Sequence, residues 1–303
     1  MNVIQGHFDQ AGTLRQRNRK LAAAPPIAQK EAATARVISV TSGKGGVGKT
    51  SVAANVAVEL SRAGKRVLII DADLGLANID VICGLTPRYN LNHYFAGDKS
   101  LVDIITPGPA GISILPAGSG LQHLTHLDAG QKMRFLEDLD SLHGRFDIVL
   151  IDTEAGISEN VTYFNMAAQE ILVVTTPEPT AITDAYALMK LMSTRYHQKN
   201  FSLVVNQVHE MDDGLDVYQK LTIVSNRYLD ISIDYLGCIP ASDRMLEAVR
   251  RQKPMVELFP GQKTSSAFRT LADSLAHRSA PEPKGTVQFF WKRFFTLSQG
   301  GES

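Results

Sequence analysis

The sequence predicts an α/β fold, one mostly parallel twisted sheet flanked by helices, and two observations carry that expectation. Seven short apolar runs recur along the chain: RVISVTS (36–42), KRVLIID (65–71), ISILPAG (112–118), FDIVLID (146–152), EILVVTT (170–176), FSLVVNQ (201–207) and ISIDYLGCI (231–239). Most are continuous rather than alternating, as expected of strands buried on both faces of a parallel sheet. Helical stretches separate them, among them TSVAANVAVELSRAG (50–64) and TAITDAYALMKLMSTRYHQ (180–198). Strands and helices in alternation build an open sheet with its ligand at the strands' carboxyl ends.

The first strand runs into TSGKGGVGKTS (41–51), which satisfies G-x-x-x-x-G-K-[ST] from Gly43 to Thr50. Gly45, Gly46 and Gly48 let backbone N–H groups turn inward around phosphate oxygens, and the following helix adds its positive end. The pattern assigns Lys49 to the β- and γ-phosphates and the Thr50 hydroxyl to Mg2+. This makes the domain a P-loop NTPase. It leaves a second lysine, Lys44, without a role.

Carboxylates end the next strands. In IIDADLGLANID (69–80), Asp71 and Asp73 are two apart, so strand alternation points both toward the phosphates. One can serve the Mg2+ shell and the other orient the attacking water; capping a helix is the alternative for the pair. FDIVLIDTEAG ends at Asp152, a further Mg2+-shell carboxylate, and Gly156 offers a backbone N–H to the γ-phosphate. The set reads as a Mg-nucleotide hydrolase with ATP and Mg2+ as expected ligands.

Length and composition fit one large domain: 303 residues, 44% hydrophobic. Lysine plus arginine equals aspartate plus glutamate, 31 each, so no global field draws the chain to nucleic acid, and no direct nucleic-acid partner is expected. Cys83 and Cys238 read as buried small hydrophobes, and His123 and His126 as surface residues. Neither an apolar leader nor a membrane span of ~18 residues is apparent, which predicts a cytoplasmic protein.

Four segments follow. Residues 1–35 read as a flexible extension broken by Pro25-Pro26, 36–278 as the nucleotide-binding domain, and 279–285 as a linker. On a helix over 286–298, Val287, Phe290, Trp291, Phe294 and Ser298 share one stripe with Phe295 beside it, while Lys292 and Arg293 lie off it. Such an aromatic helix with basic flanks suits the surface of the cytoplasmic membrane, and the alternative is docking on the core or a partner.

SGKGGVGKTS is similar to the deviant Walker A loop of the MinD/ParA family of ATPases. The resemblance implies a homodimer in the ATP state, in which Lys44 crosses to the partner subunit's nucleotide. It also implies that Asp73 positions the hydrolytic water, that Asp71 and Asp152 serve Mg2+, and that Asn206 reads adenine. The loop GCIPASD (237–243), with Pro240, would line the base pocket. Gly43, Gly45, Gly46, Val47, Gly48, Lys49, Thr50 and Ser51 make up the loop contacts. DQAGTLR (9–15) resembles the DQAxxLR motif of the FlhG (FleN) branch, ATPases that control flagellar number, and DADLGLANIDVICGL and ILPAGSG also look like that branch. The branch implies contact of Asp9, Gln10, Leu14 and Arg15 with the signal-recognition-type GTPase FlhF. It also implies restraint of a sigma-54-dependent flagellar activator, contacts with flagellar C-ring proteins, and reversible attachment to the membrane. Glu154 departs from the family pattern, which has a small residue there and leaves the hydrolysis rate open. Septum-placing MinD-like proteins, ParA-type DNA partitioners and metal-cluster carriers of the same superfamily are the alternatives.

Overall fold

In a computed structural model of the chain, the described residues are 35–73, 78–116 and 144–278, together with Arg134, Asp138 and Leu142. The motif around Asp9, Gln10, Leu14 and Arg15, the linker, the stripe of Phe290, Trp291, Phe294 and Phe295, and His123 and His126 lie outside them.

The described strands form one eight-stranded sheet. They are β1 (Arg36–Ser42), β2 (Val67–Ala72), β3 (Thr106–Pro107), β4 (Ser113–Pro116), β5 (Ile148–Ala155), β6 (Glu170–Thr175), β7 (Asn200–Val208) and β8 (Ser232–Pro240). Their order is β3-β4-β2-β5-β1-β6-β7-β8, parallel throughout except for β3 on β4. All seven apolar runs became strands. The two-residue β3 was not anticipated, because two residues carry no periodicity.

The described helices are α1 (Lys49–Arg62), α2 (Ile79–Ile82), α3 (Leu91–Phe95), α4 (Leu101–Ile104), α5 (Glu159–Ala167), α6 (Pro179–Tyr196), α7 (Met211–Tyr228), α8 (Asp243–Arg250), α9 (Met255–Leu258) and α10 (Lys263–His277). On one face, Val52, Val56 and Leu60 of α1 and Phe268, Leu271 and Leu275 of α10 pack over Ile69 and Leu150. On the other, Phe164 of α5 packs with Ile70, Val149 and Ile151, while Leu188 and Met192 of α6 and Val217 and Leu221 of α7 pack with Val173 and Leu203. Burial on both faces is the reason these strands are apolar without interruption. Among the described residues, no helix is long and apolar enough to cross a membrane.

β1 lies between β5 and β6. Strands β2 to β5 all lie on one side of β1, with β5 inserted next to it, and β6 to β8 lie on the other. The crevice at the carboxyl end of β1 is therefore the switch point where open α/β sheets bind ligands. The helix behind it is fixed by Asn55, buried in α1, whose Nδ2 donates to Ser51 O at 2.8 Å and whose Oδ1 accepts from Val256 N at 3.0 Å. Asn55→Ala strands the Val256 N–H in the core and should destabilise the protein by about 1–3 kcal/mol, read as a lower urea midpoint without nucleotide.

Candidate nucleotide-binding site

The loop between β1 and α1 is held in a shape suited to phosphate. Gly46 and Gly48 take left-handed backbones, with φ of 81° and 83°. Gly48 is also the N-cap of α1, whose first turn has neither a side-chain cap nor an acidic residue. The N–H groups of that turn are thus left for a ligand, at the positive end of the helix dipole. Gly43 has a different reason: a Cβ there would lie 2.1 Å from the backbone oxygen of Asp184, so the loop's entrance touches the α6 backbone.

A cleft of about 230 Å³ runs along this loop, lined by Gly45 to Ser51 and by Lys44, Asp73, Asn78 and Ala155. Beneath it, the buried Lys49 ammonium lies 3.3 Å from Asp152 Oδ1. Asp152 is fully buried, and its Oδ2 has no hydrogen-bond partner among the described residues. Asp71 is its cross-strand neighbour on β2. Burial, and after it the Asp152 charge, push the Asp71 carboxyl up to about 7. Burial also raises Asp152, with the Lys49 charge working against it. Two adjacent buried carboxylates, one with an unpartnered oxygen, are what a nearby divalent cation relieves. The Thr50 hydroxyl in the cleft supplies a further hard oxygen, so the residues fit Mg2+ completed by waters and nucleotide phosphates.

Only the first of the two aspartates belongs to β2. The strand ends at Ala72, so alternation stops one residue before Asp73. Asp73 lines the cleft, whereas Asp71 accepts backbone N–H groups from Asp73 (3.3 Å), Asn78 (3.1 Å) and Ile79 (3.2 Å) and shapes the turn that carries Asp73. Gly156 also differs from expectation. Its N–H donates to Ser42 O at 2.9 Å, because β5 pairs with β1 as far as Ala155, so it is already engaged. The Glu154 carboxylate accepts a hydrogen bond from the Ser158 hydroxyl and is absent from the cleft lining.

Lys44 reaches across the loop's mouth to α6. Its Nζ lies 2.8 Å from Glu178 Oε2 and 2.8 Å from Thr180 Oγ1, and its side chain is 34% exposed. Neither partner was foreseen from sequence. PEPT (177–180) signals a helix start, but only the fold brings it to Lys44.

A second cavity, of about 310 Å³, adjoins the loop at Gly48 and Ser51. Asn206 and Pro240 both line it, together with Gln207, Met245, Leu246 and Val249. Of GCIPASD, Gly237 to Pro240 belong to β8, Ala241 and Ser242 form the connection, and Asp243 opens α8. Asn206 Nδ2 donates to Val47 O at 2.8 Å. That bond uses one of the two Nδ2 hydrogens, so the second N–H and the Oδ1 acceptor are left for a base. The two cysteines are free and buried in separate apolar clusters, Cys83 on the α1 face and Cys238 near α7. Burial pushes the Cys83 thiol up to about 12.

Two glycines separate steric from conformational demand. Gly45 has no atom within 4 Å of an added Cβ, while Gly43 abuts backbone. Gly45→Ala should therefore leave the nucleotide-free melting temperature within about 2 °C of the parent, and Gly43→Ala should lower it by several degrees.

Comparison with known proteins agrees with this geometry. Residues 33–276 match the ParA family profile, described as NUBPL iron-transfer P-loop NTPase. The antiactivator FleN of Pseudomonas aeruginosa is 41% identical over 259 residues, 85% of this chain and 92% of that protein. The flagellum site-determining protein YlxH of Helicobacter pylori is 32% identical over 263 residues, 85% of this chain and 89% of that one. Among solved structures, septum site-determining protein MinD of Pyrococcus horikoshii complexed with Mg-ADP aligns with a TM-score of 0.63 at 28% identity, over 80% of this chain and 96% of that one. The chain belongs to the ParA/MinD family of P-loop ATPases, within its FlhG/FleN branch.

Proposed function

We propose that the chain is an ATP-dimerised switch that sets flagellar number, with residues 36–278 as the ATPase and the two extensions as its outputs. The carrying observation is the contrast between the two lysines. Lys49 is buried and engaged beneath its own cleft, whereas Lys44 is one-third exposed and held only by groups at the molecular surface. A cation so placed is available to a phosphate from a second copy of the chain, which makes its stabilisation of transition-state charge depend on dimerisation.

Within each protomer, Gly43 to Ser51 cradle the phosphates and Lys49 exchanges Asp152 for the β- and γ-oxygens. Thr50, Asp71 and Asp152 hold the Mg2+ site, partly through water. The bound ion supplies neutralisation of phosphate charge. Asp73, at the cleft wall, orients the attacking water. Asn206 and Pro240 hold adenine.

Outside the ATPase, Phe290, Trp291, Phe294 and Phe295 anchor the dimer to the inner membrane. One short helix binds lipid weakly, and two in one particle gain effective concentration, so attachment follows nucleotide state. Asp9, Gln10, Leu14 and Arg15 act on the flagellar placement GTPase FlhF. Restraint of an activator is supported by the name of the FleN relative, antiactivator, and flagellar placement by that of YlxH, while the activator's sigma-54 dependence rests on the branch resemblance. C-ring contacts rest on the branch resemblance.

Two experiments test the switch. Lys44→Ala should bind a labelled ATP analogue within about threefold of the parent yet stay monomeric in ATP, while Lys49→Ala should lose more than about tenfold in binding; equal losses would overturn the division. Sedimentation with anionic vesicles should pellet the full chain in ATP but not in ADP, and deletion of 286–303 should abolish pelleting without changing dimerisation. ATP-dependent, salt-sensitive retention on arbitrary DNA with no vesicle binding would instead favour a partition ATPase.

A further inference from the structure

We propose that Gln207 is a positioning residue of the nucleotide site, a second amide that works beside Asn206 to hold the phosphate loop open for its ligand. The proposal rests on the nucleotide-site reading above and adds to it a residue that the loop motif does not contain.

The observation is a backbone irregularity at the end of β7, the second of two register shifts in its pairing with β8. β7 pairs with β8 through Asn206 opposite Ile239 and Val208 opposite Pro240, so Gln207 is an extra residue, a bulge. Its φ is +58°, in the left-handed region that side-chain-bearing residues rarely enter. Bulges re-aim side chains, and they concentrate beside sites. Here the bulge breaks the alternation of β7, so that two consecutive residues reach the same loop. Asn206 Nδ2 donates to Val47 O at 2.8 Å, and Gln207 Nε2 donates to Gly46 O at 3.4 Å. A regular strand would send one of the two to the opposite face.

The two bonds act on adjacent peptide units. Every peptide bond in the described residues is trans. In a trans unit, the C=O and the following N–H point in opposite directions. Drawing Gly46 O and Val47 O toward β7 therefore turns the N–H groups of Val47 and Gly48 away from β7, to the cleft side of the loop. Gly46 and Gly48 are left-handed glycines with wide conformational freedom, so without an outside tether the loop loses much entropy on binding phosphate. Two side-chain amides from a buried strand bear that ordering beforehand. Both amides lie beside the loop: a Cβ on Gly48 would clash with Asn206 Nδ2 at 2.4 Å and meet Gln207 Nε2 at an ordinary contact distance of 3.6 Å.

Because the tether acts through the loop, its effect is independent of the base. The test uses the full-length chain, titrated with Mg-ADP and Mg-IDP, which differ at the 6-position of the purine. Gln207→Gly accepts the left-handed backbone and removes the amide. It should weaken both nucleotides by the same factor, roughly three- to tenfold. Its nucleotide-free melting temperature should stay level or rise, since glycine relieves the backbone conformation. Gln207→Asn also tolerates that backbone but carries its amide one methylene short, and it should lose affinity to a similar extent. A residue serving the fold alone would move stability and affinity together. Unchanged affinity for both nucleotides in Gln207→Gly would overturn the proposal. A loss for Mg-ADP that Mg-IDP does not share would also overturn it, since the amide would then read the base. A parent chain that binds neither nucleotide would remove the site reading itself.

Discussion

The buried pair of Lys49 and Asp152 is the interaction on which the rest of the site depends. Its 3.3 Å contact ties the loop after β1 to the adjacent strand β5 beneath the phosphate cleft. Two charges in a protein interior cost several kcal/mol each to desolvate, and removing one partner of such a pair costs about 3–5 kcal/mol. A chain selected for stability alone would favour an apolar pair here. The ions suit the proposed nucleotide site: a phosphate would take the lysine and a divalent cation the carboxylate, so each charge would gain a second partner. The unpartnered Oδ2 of Asp152 and the raised carboxyl of Asp71 belong to the same account.

Around that pair the loop is gripped from two sides by elements far along the chain. On one side α6 packs its backbone against Gly43 and holds the Lys44 side chain through Glu178 and Thr180. On the other, β7 reaches Gly46 and Val47 through two amides. The left-handed glycines of the loop give it the required shape but no means of keeping it. The grip supplies the order that glycine lacks, and it divides the two lysines, one inward and one at the surface.

The carboxylates illustrate how position in a strand decides a role. Asp71 lies within β2, is buried, and serves the backbone of the turn that follows. Asp73, one residue beyond the strand, is the one that reaches the cleft. Glu154, the departure from the family pattern, is tied to Ser158 at the start of α5 and so leaves the cleft to Asp73 and Ala155.

The sequence by itself determined the seven longer strands, and the loop Gly43 to Ser51 as the link of a single strand–loop–helix unit. It also singled out Asp152 as the carboxylate that halts an apolar run, but not as a residue inside the strand: β5 continues through Thr153, Glu154 and Ala155 beside β1, where the run is no longer apolar. Only the tertiary structure decided what those groups touch. Lys44 meets Glu178 across 134 positions of sequence, and Asn206 meets Val47 across 159. Strand order brings them together, and no local pattern encodes strand order. The engagement of the Gly156 N–H by Ser42, the turning of Asp71 to backbone and the bulge at Gln207 escaped for a related reason. Each depends on where a strand stops or slips against its neighbour, and hydrophobic periodicity, which reports burial alone, carries no information on that.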